Sequence, residues 1–267
     1  MKLIMLGTGN AMVSKCYNTC FAFEEDGKYY LVDAGGGNGI FRQLEDAHIA
    51  PEQIEGMFIT HGHTDHILGA VWVVRKMAEL MKKGIRKEEF VIRCHDTAAK
   101  MLSAFCEMTL AKAQLKYLEN GSIRIETVEE GTEFTALSMR LRCFDILSTK
   151  AKQFGFNALL PDGKRLTCLG DEPFNSEADA RAGGSNYLLS EAFCLYEDRE
   201  RFHPYEKHHS TALDAGRMAE ALAIGTLILY HTEDKTIATR KQRYGAEAKS
   251  VFSGNVIVPD DLEVIEL

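Results

Sequence analysis

Nowhere in its 267 residues does this chain hold 18 consecutive apolar residues, which excludes the ordinary membrane-spanning helix. The opening Met1-Lys2-Leu3-Ile4-Met5-Leu6-Gly7 is too short an apolar run for a secretory signal, so the reading is an unexported, cytoplasmic protein. No Cys-x-x-Cys pair occurs. The seven cysteines, at 16, 20, 94, 106, 143, 168 and 194, are odd in number and widely spaced, as expected of reduced and mostly buried thiols. Cys16 and Cys20, beside a glycine-rich turn, are lesser candidates for redox or metal groups. Basic charge is not in excess: 31 Lys and Arg stand against 39 Asp and Glu, a net charge of −8. A nucleic-acid backbone therefore meets no general attractive field, and a small-molecule substrate is expected instead. There is no repeat, low-complexity tract or proline-rich linker, which leaves residues 1–267 as a single domain.

What is present is an ordinary globular mixture, 45% hydrophobic and 26% charged, in which strand and helix patterns alternate. Residues 2–6, 19–23, 29–33 and 57–60 read as strands between Gly, Asn and Asp turns. Residues 39–47 and 67–83 read as helices, the second ending at Gly84, and 97–118 as one further helix. Strand patterns return at 123–128, 139–146, 156–160 and 166–169, the last two joined by the turn Pro161-Asp162-Gly163-Lys164. The remainder alternates: strand 187–190, helix 211–224 capped by Ser210 or Thr211, strand 226–230, helix 241–252, strand 262–265. The result is an α+β chain of mixed sheets flanked by helices.

Chemistry concentrates in His61-Gly62-His63-Thr64-Asp65-His66, which follows the apolar strand residues Met57-Phe58-Ile59. Four potential ligands within six positions converge only if the chain turns tightly, and Gly62 permits that turn. Imidazoles 61 and 63 project towards one point, and Asp65 and His66 can serve a second point about 3.5–4 Å away, as in two-metal sites. Imidazole nitrogen with carboxylate oxygen suits zinc, with manganese or iron as alternatives. A polar loop of merely solvated histidines after a buried strand has little packing rationale.

This segment resembles the His-x-His-x-Asp-His signature of metallo-β-lactamase-fold hydrolases, in the branch of ribonuclease Z and similar phosphodiesterases. Leu6-Gly7-Thr8-Gly9-Asn10-Ala11, Leu31-Val32-Asp33-Ala34-Gly35, Leu169-Gly170-Asp171, His209-Ser210-Thr211 and Leu227-Ile228-Leu229-Tyr230-His231 extend the likeness nearly end to end. The resemblance implies an αββα four-layer sandwich and a metal-activated water as nucleophile. It implies that His61 and His63 hold a first metal, that Asp65, His66 and His231 hold a second, and that Asp171 bridges them. Asp65 then also orients the water or accepts its proton, and His209 acts as general acid or electrostatic stabiliser. Asp33 then supports the metal loop without ligating, and Glu191 bonds a ligand histidine and holds it in the useful tautomer. A homodimer is an expectation by analogy with relatives alone.

One stretch departs from the pattern. Where the family has a further histidine for the first metal, this chain reads Asp145-Ile146-Leu147-Ser148-Thr149-Lys150-Ala151-Lys152-Gln153-Phe154-Gly155. A neutral hydroxyl such as that of Ser148 is a poor zinc ligand, so the first metal is expected to be weak unless water or His95 fills the gap. Lys150, Lys152 and Ser148 are lesser candidates for binding a substrate phosphate or carboxylate. Nineteen residues lie between Asp171 and Glu191, and no basic, glycine-rich insertion is present, so the arm that grips transfer RNA in ribonuclease Z is missing. A small phosphodiester is the first expectation. A lactone or thioester is the alternative, and a metal-binding protein with lost catalysis is the rival from another class.

Overall fold

A computed structural model describes residues 1–173 and 179–267. The chain divides into two compact units, the first Met1–Gly7, Tyr17–Glu129 and Leu262–Leu267, the second Thr8–Cys16 and Glu130–Asp261.

The first unit holds strands β1 (Lys2–Gly7), β2 (Cys20–Glu25), β3 (Lys28–Val32), β4 (Ile54–Ile59), β5 (Phe90–Cys94) and β6 (Ile123–Thr127). They lie in that order, with the C-terminal strand Glu263–Glu266 outside β1. Pairing is antiparallel up to β3 and parallel from β3 to β6. Parallel neighbours need crossovers, and helices α1 (Gly39–Asp46), α2 (Thr64–Lys82), α3 (Asp96–Thr109) and α4 (Lys112–Glu119) supply them. Their apolar faces and the strands bury one cluster that includes Leu31, Met57, Ile59, Ile67, Val74, Phe90 and Leu102. The loops that follow β3, β4 and β5 open at the carboxyl ends of the parallel strands, where α/β sheets gather functional groups.

The second unit repeats the plan. Strands β7 (Glu133–Ala136), β8 (Met139–Asp145), β9 (Phe154–Leu159), β10 (Arg165–Cys168), β11 (Tyr187–Glu191), β12 (Thr226–Tyr230) and β13 (Asn255–Ile257) form a sheet in sequence order. Pairing is antiparallel from β7 to β10 and parallel from β10 to β13. Helices α5 (Asp179–Ala182), α6 (Arg199–Phe202), α7 (Ala212–Ala221) and α8 (Ile237–Lys249) accompany it. Helices α7 and α8 pack closely because Gly216 has no side chain: a Cβ there would stand 2.7 Å from the Ala248 carbonyl oxygen. The β9–β10 hairpin closes at the expected turn, with Leu160 N–H donating to Lys164 O at 2.8 Å and Gly163 at φ +85°. Thr211 caps α7, its hydroxyl accepting from Asp214 N–H while the Asp214 carboxylate accepts from Thr211 N–H.

Several expectations are corrected. The single helix expected over 97–118 is two, α3 and α4, broken where Leu110 turns extended (φ −90°, ψ 148°) and the Gln114 side chain accepts from Ala111 N–H. No Gly or Pro marks that break. Strand β5 escaped the pattern because Arg93 and the charged run before Phe90 mask its apolar residues; its side chains alternate between buried and half-buried. Short β7 and β13 carry too few residues to show a period. Among the described residues no helix is long and apolar enough to cross a membrane.

Candidate metal centre

In the first unit, β4 ends at Ile59 and Thr60 begins the connection to α2. His61 is fully buried, and its Nε2 lies 2.9 Å from Nδ1 of His63, so both imidazoles direct a nitrogen to one point. Thr64 starts α2, which puts Asp65 and His66 in its first turn, with Asp65 Oδ2 3.5 Å from His66 Nε2. Two close pairs of possible ligand atoms therefore form within six residues.

The buried carboxylate of Asp33, just past β3, sets their orientation. It accepts from Thr60 N–H at 2.8 Å through Oδ1, and from Thr60 Oγ1 at 2.7 Å through Oδ2. The same Oδ2 lies 2.8 Å from His66 Nδ1. A proton on Nδ1 aimed at Asp33 leaves Nε2 of His66 as a lone-pair donor. Thr60 extends the chain of contacts, its hydroxyl 3.0 Å from His61 Nδ1. Thr60 was missed in the sequence, where a lone threonine before the motif carries no signal. Asp33 adopts φ +58°, an uncommon conformation for a side-chain-bearing residue, at the point where the chain must leave the strand and present its carboxylate.

Packing fixes this loop against α2. Ala34 N–H donates to His66 O at 3.0 Å and Gly69 N–H to Gly35 O at 2.8 Å. Gly62 plays a part different from the one expected. It has no left-handed φ; its missing side chain makes room for Met101, whose sulfur would lie 2.4 Å from a Cβ. His95 caps α3, its Nδ1 accepting from Ala98 N–H at 3.4 Å, and it joins no candidate metal group among the described residues. Cysteines make no contribution: burial pushes the Cys16 thiol up to about 11, Cys20 is buried, and no cysteine joins a candidate metal group among the described residues.

The second unit gathers another set behind its own parallel strands. Asp171 follows β10, Glu191 ends β11 and His231 follows β12, at φ +57°. Ligand atoms of Asp171, His209 and His231 all lie within 4.8 Å of one another, with His231 Nε2 3.5 Å from Asp171 Oδ2. Thr232, next to His231, is tied to the glycine-containing segment Thr8-Gly9-Asn10: its N–H donates to Thr8 O and its carbonyl accepts from Asn10 N–H, both at 3.0 Å. The buried Arg240 donates to the hydroxyls of Thr8 and Thr232 and locks the same turn.

Glu191 turns to His209. Its fully buried carboxylate faces His209, Oε2 lying 3.3 Å from Nδ1, and also accepts from Ser210 N–H. His209 stacks on Phe193 with ring centroids 4.6 Å apart and planes 13° from parallel. In the departure segment Ser148 and Thr149 both turn to Glu172. Ser148 Oγ donates to Glu172 Oε2 at 2.8 Å, and Thr149 N–H and Oγ1 both donate to Glu172 Oε1 at 3.0 Å. Lys150 reaches the cluster, whereas Lys152 is exposed and lies over the Phe154 ring. Glu172, directly after Asp171, was missed because nothing in the sequence distinguishes the second of two adjacent acids.

Residues 1–194 match the model of the family described as Anti-Pycsar protein Apyc1. Ribonuclease Z of Exiguobacterium sp. is 23% identical over 301 residues, which cover 98% of each chain. Among solved structures, the metallo-beta-lactamase fold protein YhfI from Bacillus subtilis superposes with a TM-score of 0.76 at 18% identity, over 99% of this chain and 98% of that one. Human tRNase Z, short form, superposes with a TM-score of 0.74 at 18% identity, over 100% of this chain and 99% of its own. The architecture is thus α+β with the metallo-β-lactamase fold.

Proposed function

Because this chain belongs to the Anti-Pycsar protein Apyc1 family, a hydrolase of the ribonuclease Z and phosphodiesterase branch of its fold, we propose that it is a metal-dependent hydrolase of a small phosphodiester. Residues 1–267 act in this reading as one hydrolase domain. The observation that carries it is the preset geometry of the donors: His61 and His63 converge, and Asp33 holds His66 with Nε2 turned towards Asp65. Imidazoles and carboxylates of this kind fit zinc, with manganese or iron as alternatives. Ligation is assigned to His61, His63, Asp65, His66, Asp171 and His231, following the family pattern, with the first ion the more exchangeable.

When bound, such ions lower the pKa of a water towards neutrality and neutralise charge that develops on the substrate. The chain's own groups do the rest. Asp65 orients the attacking water or takes its proton. His209, paired with Glu191 and held flat by Phe193, faces the leaving oxygen and stabilises or protonates it. Lys150 adds a fixed positive charge beside His209 and favours a phosphoryl anion over a neutral ester.

Elemental analysis of the purified protein, followed by turnover of bis(p-nitrophenyl) phosphate with zinc or manganese, tests the reading. Bound metal with turnover that Asp65→Asn abolishes is the expected result. A metal-free, inactive protein under every ion would sink it, and hydrolysis that survives Asp65→Asn would overturn the role given to Asp65.

A further inference from the structure

Lys150 stands in the departure segment, and its ammonium is held from several sides. Nζ donates to the Asp171 backbone carbonyl at 3.0 Å and lies 3.5 Å from His209 Nε2, 3.5 Å from Glu172 Oε2 and 3.7 Å from Asp171 Oδ2. Its side chain is only 13% exposed. Glu172 is not free to draw it elsewhere, since Ser148 and Thr149 already bind both carboxylate oxygens. The hydroxyls that stand where the family has a ligand thus fix Glu172, and Glu172 together with the Asp171 carbonyl fixes the lysine.

We propose that Lys150 is a built-in competitor for the Asp171 carboxylate, a positioning residue that makes one of the chain's metal ions readily exchangeable. The inference rests on the metal-dependent reading above. An ammonium at this distance partly neutralises Asp171, and any cation bound through that carboxylate is held close to a second positive charge in a poorly solvated place. Losing the positive charge should therefore strengthen binding, the opposite of what loss of a ligand does.

The test is zinc titration of the full chain against a chromophoric chelator, for the wild type and for Lys150→Met, Lys150→Arg and Lys150→His. The wild type should hold one equivalent firmly and a second weakly. Lys150→Met should tighten the weak equivalent by about tenfold or more, Lys150→Arg should leave it weak, and Lys150→His should tighten it further by adding a ligand. Circular dichroism verifies that each variant is folded; if Lys150→Met does not fold, the contrast between Lys150→Arg and Lys150→His decides. Two firmly held ions in the wild type, or an unchanged or weaker second ion in Lys150→Met and Lys150→His, would overturn the role of Lys150 while leaving the hydrolase reading intact. Absence of zinc binding in every form would overturn both.

Discussion

Asp33 Oδ2 lies 2.8 Å from Nδ1 of His66, and both side chains are shut off from solvent. The carboxylate uses both of its oxygens as acceptors, since Thr60 donates to it through N–H and hydroxyl. In Asp33→Asn the amide group must turn an N–H₂ towards one of these donors, so the network cannot be kept. We expect zinc affinity to fall about 10–100-fold, as for other supporting carboxylates, with the far-ultraviolet dichroism retained. Unchanged affinity in a competition titration would reduce Asp33 to a brace of the loop.

Glu191 plays a matching part for His209. Glu191→Gln keeps the shape but removes the charge that faces Nδ1. Turnover of a phosphodiester should drop about a hundredfold in kcat with metal content unchanged, because the pair is assigned to the leaving group and not to ligation. Loss of metal in this variant would count against that division of labour.

Gly69 decides whether α2 can lie against the loop that carries Asp33. A Cβ at this position would sit 1.9 Å from the Ala34 carbonyl oxygen, a backbone atom that cannot swing aside. Gly69→Ala should destabilise the fold by about 1–3 kcal/mol, seen as a lower urea midpoint, and should also weaken metal binding because His66 moves with the helix. A wild-type midpoint would show that the loop yields easily.

A pH dependence follows from Asp234. Burial raises its pKa, but Ser14 N–H at 2.6 Å, Lys15 N–H at 3.0 Å and the Lys235 ammonium at 3.0 Å outweigh that and hold the carboxyl well below the usual carboxylate range. A depressed folded-state pKa stabilises the native state above the ordinary value near 4, and the gain is lost as pH falls towards the folded-state value. The stability gap between wild type and Asp234→Asn should therefore be full at pH 6 and should narrow steadily between pH 4 and pH 2. A gap independent of pH would show that Asp234 acts through shape alone.

Much of this architecture was legible because it is encoded within a turn or two of chain. The ligand run His61–His66, the Pro161-Asp162-Gly163-Lys164 hairpin and the Thr211–Asp214 cap all join residues at most five positions apart, so their geometry follows from local spacing. Strand β5 and the break after Leu110 were not legible, since in both the side-chain pattern contradicts the local backbone and burial against neighbours prevails.

By itself the sequence determined which chemistry the chain carries: imidazoles and carboxylates at fixed spacing after an apolar strand, with no basic surplus and no long apolar run. Only the tertiary structure decided which residue serves which. Asp33 reaches His66 across 33 positions because β3 and β4 are parallel neighbours whose carboxyl ends share one edge. Loop packing brings Glu191, at the end of β11, to His209, and Lys150, in the connection between β8 and β9, to Asp171. Partner choice at such separations is set by sheet order and loop packing, which no local pattern of residues contains.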